Sequence, residues 1–397
     1  MLSTLHSSRR SLPWIIGLLI VRFLGFAPAV WCDERDDYIQ RRIERSLARN
    51  WSHKRIAAGE NGPRLNLEES RRQILLVLLH EGIPPSAIAR HEHWSEQQLQ
   101  AGIEELLQSG LLREISPGVF LPTVLVMSVG EVARSMPVDP LLVERASDLI
   151  RARLPELQQR YGQLESASEV PFESASLFLL SNVMLDNWQI RNVESRVLQA
   201  ERPLRQGGRF YYSIQENLAD GREAFSIYGN HVRSYGDRVV GVYGNQREEN
   251  PANFHLLSNE RLDQLFGRAA STQTVDQRKR QLTELFLKRE PGARTGFEQL
   301  GWLKGGRSQV LTLRMPQLKQ LDSMAELVTS DLVNLLLNHR VELERLYRNS
   351  PYSEEVTFNE YFLWWYHLFY SAVTDQLHRS GVIKMPASGI STYLVIP

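Results

Sequence analysis

The sequence of 397 residues contains a single cysteine, Cys32, at the end of an apolar N-terminal segment. Everything after Cys32 is therefore free of thiols. Such a body has no disulfide framework, no thiolate metal site and no cysteine nucleophile. A chain of this length and 42% hydrophobic content can bury its core without cross-links, and it is long enough for about two or three domains.

Net charge is absent as well, because 46 basic residues balance 46 acidic ones. Proteins dedicated to nucleic acids or anionic membranes are normally basic, so this balance argues against both partners. The glycine-rich stretch 292–306 lacks the Gly-Lys-Ser/Thr ending of a phosphate loop. His91 and His93 flank Glu92, but neighbouring helix residues do not face together. We therefore expect no cofactor and no metal.

The N-terminus has the pattern of a secretory signal peptide. Arg9 and Arg10 precede an apolar run that only Arg22 interrupts, and the small residues Ala27-Pro28-Ala29 follow. An uncleaved anchor is the alternative, which Arg22 weakens. Either reading leaves the body outside the cytoplasmic membrane, in the periplasm, secreted or anchored. A misassigned start codon ahead of a cytosolic protein is the third possibility. Export of a cysteine-free body favours a bacterial envelope protein.

Residues 67–127 show three helical segments, SRRQILLVLLHEG, PPSAIARHEH and SEQQLQAGIEELLQSG, followed by two strands around Ser116-Pro117-Gly118. This order resembles a winged helix-turn-helix module. The resemblance implies DNA binding through the third helix. In this chain, however, the third helix carries three glutamates and no Lys or Arg. Phosphate neutralisation supplies most non-specific DNA affinity, so we expect a packing or protein-contact unit instead.

The centre of the chain predicts one helix over 172–198 and three strands after it. Asn182, Asp186 and Gln189 fall three and four residues apart and so share one face of that helix. Past Pro203 the apolar period changes from about 3.6 to 2 in RFYYSIQ, AFSIYGN and VVGVYGN. We expect these strands to form an antiparallel meander with the helix on one face.

Two of these strands end in the same triplet, Tyr228-Gly229-Asn230 and Tyr243-Gly244-Asn245. Gly and Asn favour tight turns, so the triplets are either ligand-contacting turns or ordinary turns whose tyrosines cap the core. We take Tyr228, Asn230, Tyr243 and Asn245 as ligand-binding candidates.

A pocket between the predicted helix and the predicted turns would bring together three candidate catalytic residues, Asp186, His231 and Asn182. Asp186 and His231 within hydrogen-bond reach would support an enzyme.

The C-terminal helix, starting near Thr357, places Glu360, Trp364 and His367 on one side. A carboxylate, an indole and an imidazole can bind a polar ligand or transfer protons. The alternative is a core histidine with its hydrogen bonds satisfied. After this helix, LHRSGVIK repeats the pattern of LLQSGLLR at 106–113, which suggests a second winged-helix-like end.

The sequence thus predicts an α+β, mainly helical fold with five parts. They are a leader or anchor (1–32), a charged helical arm (33–66), a winged-helix-like module (67–136), a helix-plus-sheet domain (137–316) and a helical C-terminal region (317–397). The function expected is an exported, non-catalytic envelope protein that binds a protein or cell-wall partner, with membrane contact only through the leader. An exported hydrolase of unrecognised type is the alternative, and a membrane-anchored DNA-binding regulator is the weaker one.

Overall fold

The computed structural model describes residues 28–247, 250–268 and 273–397, with side chains from residue 36 onward. Most of the predicted leader, residues 1–27, lies outside the described residues. Within the described ranges, no helix combines the length and the apolar character needed to cross a membrane.

The described residues form a mixed fold that is mainly helical, as the sequence predicts. Its helices are α1 (Pro28–Leu47), α2 (Ser70–His80), α3 (Pro85–His91), α4 (Glu96–Gln108), α5 (Val129–Ser135), α6 (Pro140–Tyr161), α7 (Phe172–Leu177), α8 (Asn187–Val193), α9 (Asn259–Phe266), α10 (Val275–Leu287), α11 (Arg294–Gln299), α12 (Leu318–Arg348) and α13 (Phe358–Arg379). Its strands are β1 (Trp51–Ala57), β2 (Leu112–Ser116), β3 (Val119–Pro122), β4 (Leu125–Met127), β5 (Leu204–Arg205), β6 (Gly208–Glu216), β7 (Tyr228–Tyr235), β8 (Arg238–Asn245), β9 (Leu303–Lys304), β10 (Arg307–Ser308), β11 (Leu311–Arg314) and β12 (Ile390–Ile396).

Two four-stranded sheets organise the chain. The first has the order β1-β6-β4, with β5 also paired to β6. The second has the order β11-β12-β8-β7 and contains the β7–β8 hairpin. The predicted three-stranded meander is therefore wrong, because RFYYSIQ belongs to the first sheet and the other two strands belong to the second. Alternation marks a strand, but it does not identify the partner of that strand.

Two further predictions are wrong because the partner of a strand could not be identified from its sequence. The predicted charged helical arm (33–66) contains a strand, β1, which pairs antiparallel with β6 from Trp51↔Glu216 to Ala57↔Phe210. The second winged end is also wrong, because β12 is an inner strand that pairs with β8 on one side and β11 on the other.

Side chains alternate between two apolar cores along both sheets, as strand geometry requires. On β6, Phe210 and Tyr212 face the core of α2–α4, whereas Tyr211 faces the central helices α6–α8, α12 and α13. In the second sheet, Tyr243 faces the same central helices and Val242 faces α9–α11. The central helices are therefore packed between the two sheets.

The N-terminal module, α2–α4 with the β2–β3 hairpin, is joined to the body by a buried histidine. His80 on α2 makes hydrogen bonds through Nδ1 to Glu355 Oε1 (2.7 Å) and through Nε2 to Glu131 Oε2 (2.9 Å). Both ring nitrogens meet carboxylates, so both donate and the imidazole is charged. Burial lowers the pKa of His80, but the two carboxylates outweigh it and raise the pKa to about 10. This ion cluster fixes the module against α5 and the segment before α13.

Candidate functional site

A cavity of about 440 Å³ lies where the edges of the two sheets approach each other. β1 is an edge strand of the first sheet, and β7 is an edge strand of the second. Residues 54–58 line the cavity at the end of β1, and residues 227–230 line it at the start of β7. The starts of α8 and α12 and one face of α13 supply most of the remaining wall, together with Arg202 and Gln246. The volume is in the range of small-molecule sites.

Asp186 enters this cavity because the predicted central helix is interrupted. A π-helical segment, Phe178–Val183, follows α7, and Asp186 then adopts φ −109° and ψ −110° before α8 begins. Its N–H donates to Ser181 O (2.9 Å) and its carbonyl accepts from Ile190 N (2.7 Å). π-helical insertions and sparsely populated backbone angles are concentrated at functional sites. These two hydrogen bonds fix the interruption of the helix on both sides, and the interruption places the Asp186 carboxyl group in the cavity wall.

The Asp186 carboxyl is buried beside Tyr243, Tyr366 and Tyr370, and no cation in the described part of the chain is paired with it. Burial raises its pKa to about 8, and a hydrogen bond with Tyr370 lowers it by less. The Tyr370 hydroxyl also donates to Tyr228 O at 2.6 Å. With its pKa raised by burial, Asp186 favours the protonated form near neutral pH.

Trp364 and His367 come from α13, three residues apart, and both line the cavity. His367 Nδ1 donates to Leu363 O (2.7 Å), which leaves Nε2 as an acceptor. Burial lowers the pKa of His367 to about 4, so the ring is neutral. The Trp364 side chain is buried, and its Nε1 has no hydrogen-bond partner among the described residues. Buried donors are normally paired, so this nitrogen suggests a missing acceptor.

Basic side chains complete the wall. Arg202 binds Glu194 with two bonds, Nε to Oε1 (2.6 Å) and Nη2 to Oε2 (2.8 Å). Its third nitrogen, Nη1, is buried and finds no acceptor in the described part of the chain. Arg191 pairs with Asp322 at 3.2 Å. The cavity is thus richer in donors than in acceptors.

The two Tyr-Gly-Asn triplets are not turns, so that prediction is wrong. They lie in β7 and β8 directly opposite each other, with Tyr228↔Asn245 and Asn230↔Tyr243 as partners. Tyr228 and Asn230 line the cavity. Tyr243 instead hydrogen-bonds Ser181 (2.5 Å), and Asn245 bonds Ser226 (2.7 Å). The triplets are a local antiparallel pair, of which one half faces the cavity.

Asn182 lies behind the site. It is fully buried in the π-helical segment, and neither its side-chain oxygen nor its side-chain nitrogen has a hydrogen-bond partner among the described residues. Nearby, the Tyr393 hydroxyl accepts a bond from Asn230 Nδ2 (2.9 Å). Asn182 does not line the cavity.

Glu360 and His231 are the candidates that the structure places elsewhere. Glu360 Oε2 pairs with Arg205 Nη2 (2.8 Å) and its Oε1 accepts Tyr212 N (3.0 Å), so it is a buried structural group. His231 follows Asn230 on β7 and points to the opposite face, where its ring lies 5.2 Å from His255. The second sheet therefore separates His231 from Asp186, and the expected acid–base pair is not formed.

The basic residues of the cavity were not predicted from the sequence. Arg55 and Lys54 lie in β1, inside a segment whose charge pattern favours a solvated helix, and Arg202 follows the second π-helical segment, Glu194–Leu198. The alternation in WSHKRIA is the only local signal for β1. The described residues contain no group of three or more His, Cys, Asp or Glu side chains suited to a metal ion.

Comparison with known proteins identified no relative of this chain. The chain matches no family model, and neither curated proteins nor solved structures give a significant match. The chemistry of the cavity is therefore the basis for assigning a function.

Proposed function

We propose that this protein is a non-catalytic binding protein of the bacterial envelope, and that the cavity between the two sheets holds a small polar ligand derived from the cell wall. The observation that carries the proposal is that polar side chains from three separate parts of the fold, the segment before α8, β7 and α13, line one cavity. Asp186, Asn230, Trp364 and His367 all line one cavity, and the unpaired Trp364 Nε1 suits a ligand acceptor.

The residues that line the cavity suit ligand binding better than they suit hydrolysis. Among the described residues, no Ser, Thr or Cys lines the cavity, and His231 lies on the other face of the second sheet. His367 is neutral, but with a pKa of about 4 it is a weak base. Asp186 favours the alternative of an exported hydrolase, since an acid with a pKa of about 8 can protonate a leaving group. Turnover of a cell-wall fragment that Asp186→Asn abolishes would establish that alternative.

The envelope location rests on the N-terminal leader pattern and on the cysteine-free body. The N-terminal module supports a protein contact in this setting. Its three helices and hairpin follow the order of a winged-helix unit, and the hairpin exposes Ile115 and Val119. α4 presents no cation for phosphate, which disfavours DNA.

Tryptophan fluorescence tests the binding proposal, because Trp188 and Trp364 both line the cavity. We expect a saturable change in emission when the purified protein is titrated with N-acetylglucosamine and N-acetylmuramic acid as cell-wall probes. Trp364→Phe should weaken the binding, whereas Trp94→Phe, in the module core, should leave it unchanged. An emission that neither probe changes, or a binding curve that Trp364→Phe leaves intact, would contradict the proposal.

A further inference from the structure

We propose that the group held in the cavity is an oxyanion, a carboxylate or a phosphate, bound by Arg202 and Trp364. This deepens, and rests on, the binding function proposed above. The argument comes from the donors that the protein leaves without partners and from the charges around them.

Arg202 gives the first part of the argument. Its Nε and Nη2 are fixed by Glu194, and side chains of both residues are about 15% exposed, so the guanidinium cannot swing freely. The remaining Nη1 is buried without an acceptor among the residues that the structure describes. An unpaired N–H on a cation is more costly than one on a neutral group, so an acceptor with negative charge satisfies it best.

Trp364 gives the second part. The indole Nε1 is a donor only, so its partner must be an acceptor. It belongs to the same wall as Arg202, and no protein atom in the described ranges accepts its proton. Two buried donors without a protein acceptor in the described ranges, on residues that line the same cavity, suit the oxygens of a carboxylate or a phosphate.

The charge balance gives the third part. Four basic residues, Lys54, Arg55, Arg191 and Arg202, line the cavity, against two acidic ones, Asp186 and Asp322.

Three of these cations have carboxylate partners, since Lys54 pairs with Glu223, Arg191 with Asp322 and Arg202 with Glu194. Arg55 is paired with Tyr212 across β1 and β6, so its side chain lies on the α2–α4 face of the first sheet, where it bonds the Asn61 carbonyl (3.3 Å). The donor that remains for a ligand is therefore Arg202 Nη1.

His367 indicates a second chemical group that the ligand would contain. Its Nε2 is an acceptor in the cavity wall, so it suits a hydroxyl donor. An oxyanion with hydroxyl groups nearby, on a body that fits about 440 Å³, describes a sugar acid or a sugar phosphate.

Calorimetric titration with three matched amino sugars tests this proposal. The probes are N-acetylglucosamine, which is neutral, N-acetylmuramic acid, which adds a carboxylate, and N-acetylglucosamine 6-phosphate, which adds a phosphate. We expect at least one acid to bind about tenfold or more tightly than the neutral sugar, which corresponds to one charge-assisted hydrogen bond. The stronger of the two acids identifies the oxyanion.

Variants locate the effect. Arg202→Lys, which keeps a cation beside Glu194 but removes the planar set of donors, should lower the affinity for the acid by about tenfold and leave that for the neutral sugar nearly unchanged. Trp364→Phe should weaken the binding of both. Arg345→Gln removes an exposed arginine outside the cavity and should have no effect. Equal binding of neutral sugar and acids, lost in Trp364→Phe, would overturn the oxyanion proposal and keep the binding function. No binding of any probe at millimolar concentration would overturn both.

Discussion

The buried pair Arg205–Glu360 gives a prediction whose size follows from the structure. The side chains are 4% and 1% exposed, and Nη2 lies 2.8 Å from Oε2. Arg205 also donates to the carbonyls of Phe210 (2.6 Å) and Thr123, while Glu360 accepts Tyr212 N (3.0 Å). Burial raises the pKa of Glu360 in spite of the arginine, so desolvation outweighs the attraction. The pair thus adds little net stability, but losing one partner is costly.

Glu360→Leu should therefore lower the free energy of unfolding by about 3 to 5 kcal/mol, because it leaves a buried cation and the Tyr212 N–H unpaired. The double variant Arg205→Met with Glu360→Leu should recover part of this loss. Urea denaturation followed by circular dichroism measures both. Glu342→Gln, which removes an exposed carboxylate, is the control and should change little. A loss below about 1 kcal/mol for Glu360→Leu would refute the structural role of this pair.

Three further predictions concern pH and packing. The pKa of His80 is raised from 6.5 to about 10, so the stability that charged His80 contributes is complete below about pH 6.5 and is lost as pH rises towards 10. Urea titrations should show that His80→Gln is less stable than the wild type at about pH 6. The difference in unfolding free energy between the two proteins should disappear near pH 10. The affinity for an anionic probe should fall above about pH 8 as Asp186 ionises, and calorimetry should find no such fall in Asp186→Asn. Gly241→Ala should lower the free energy of unfolding by about 1 to 3 kcal/mol, seen as a lower Tm, because its Cβ would meet the Tyr393 ring.

Local sequence patterns were sufficient for the helices. α13 begins at its predicted N-cap, where the Thr357 side chain accepts from Glu360 N, and its spacing brings Trp364 and His367 to one cavity. α12 lies in the C-terminal region (317–397) that the sequence predicts to be helical. These features depend on periodicity and capping, which a single sequence contains.

Contacts between residues that are far apart in the chain could not be predicted from the sequence. The alternation of β6 is clear, but nothing in it shows that β1 and β4 are its neighbours. Arg205 and Glu360 are separated by 155 positions, so a glutamate on a polar helix face could not be distinguished from a ligand-binding group. The helix break at Asp186 is likewise invisible, because the apolar period continues through the π-helical segment. The cavity depends on all three features.

The most direct test of the binding site is a crystal structure of the protein with N-acetylmuramic acid. Our account places the sugar between β1, β7 and α13, with its carboxylate within hydrogen-bond distance of Arg202 Nη1 and Trp364 Nε1. A sugar bound elsewhere, or a cavity closed by its own side chains at saturating ligand, would contradict it.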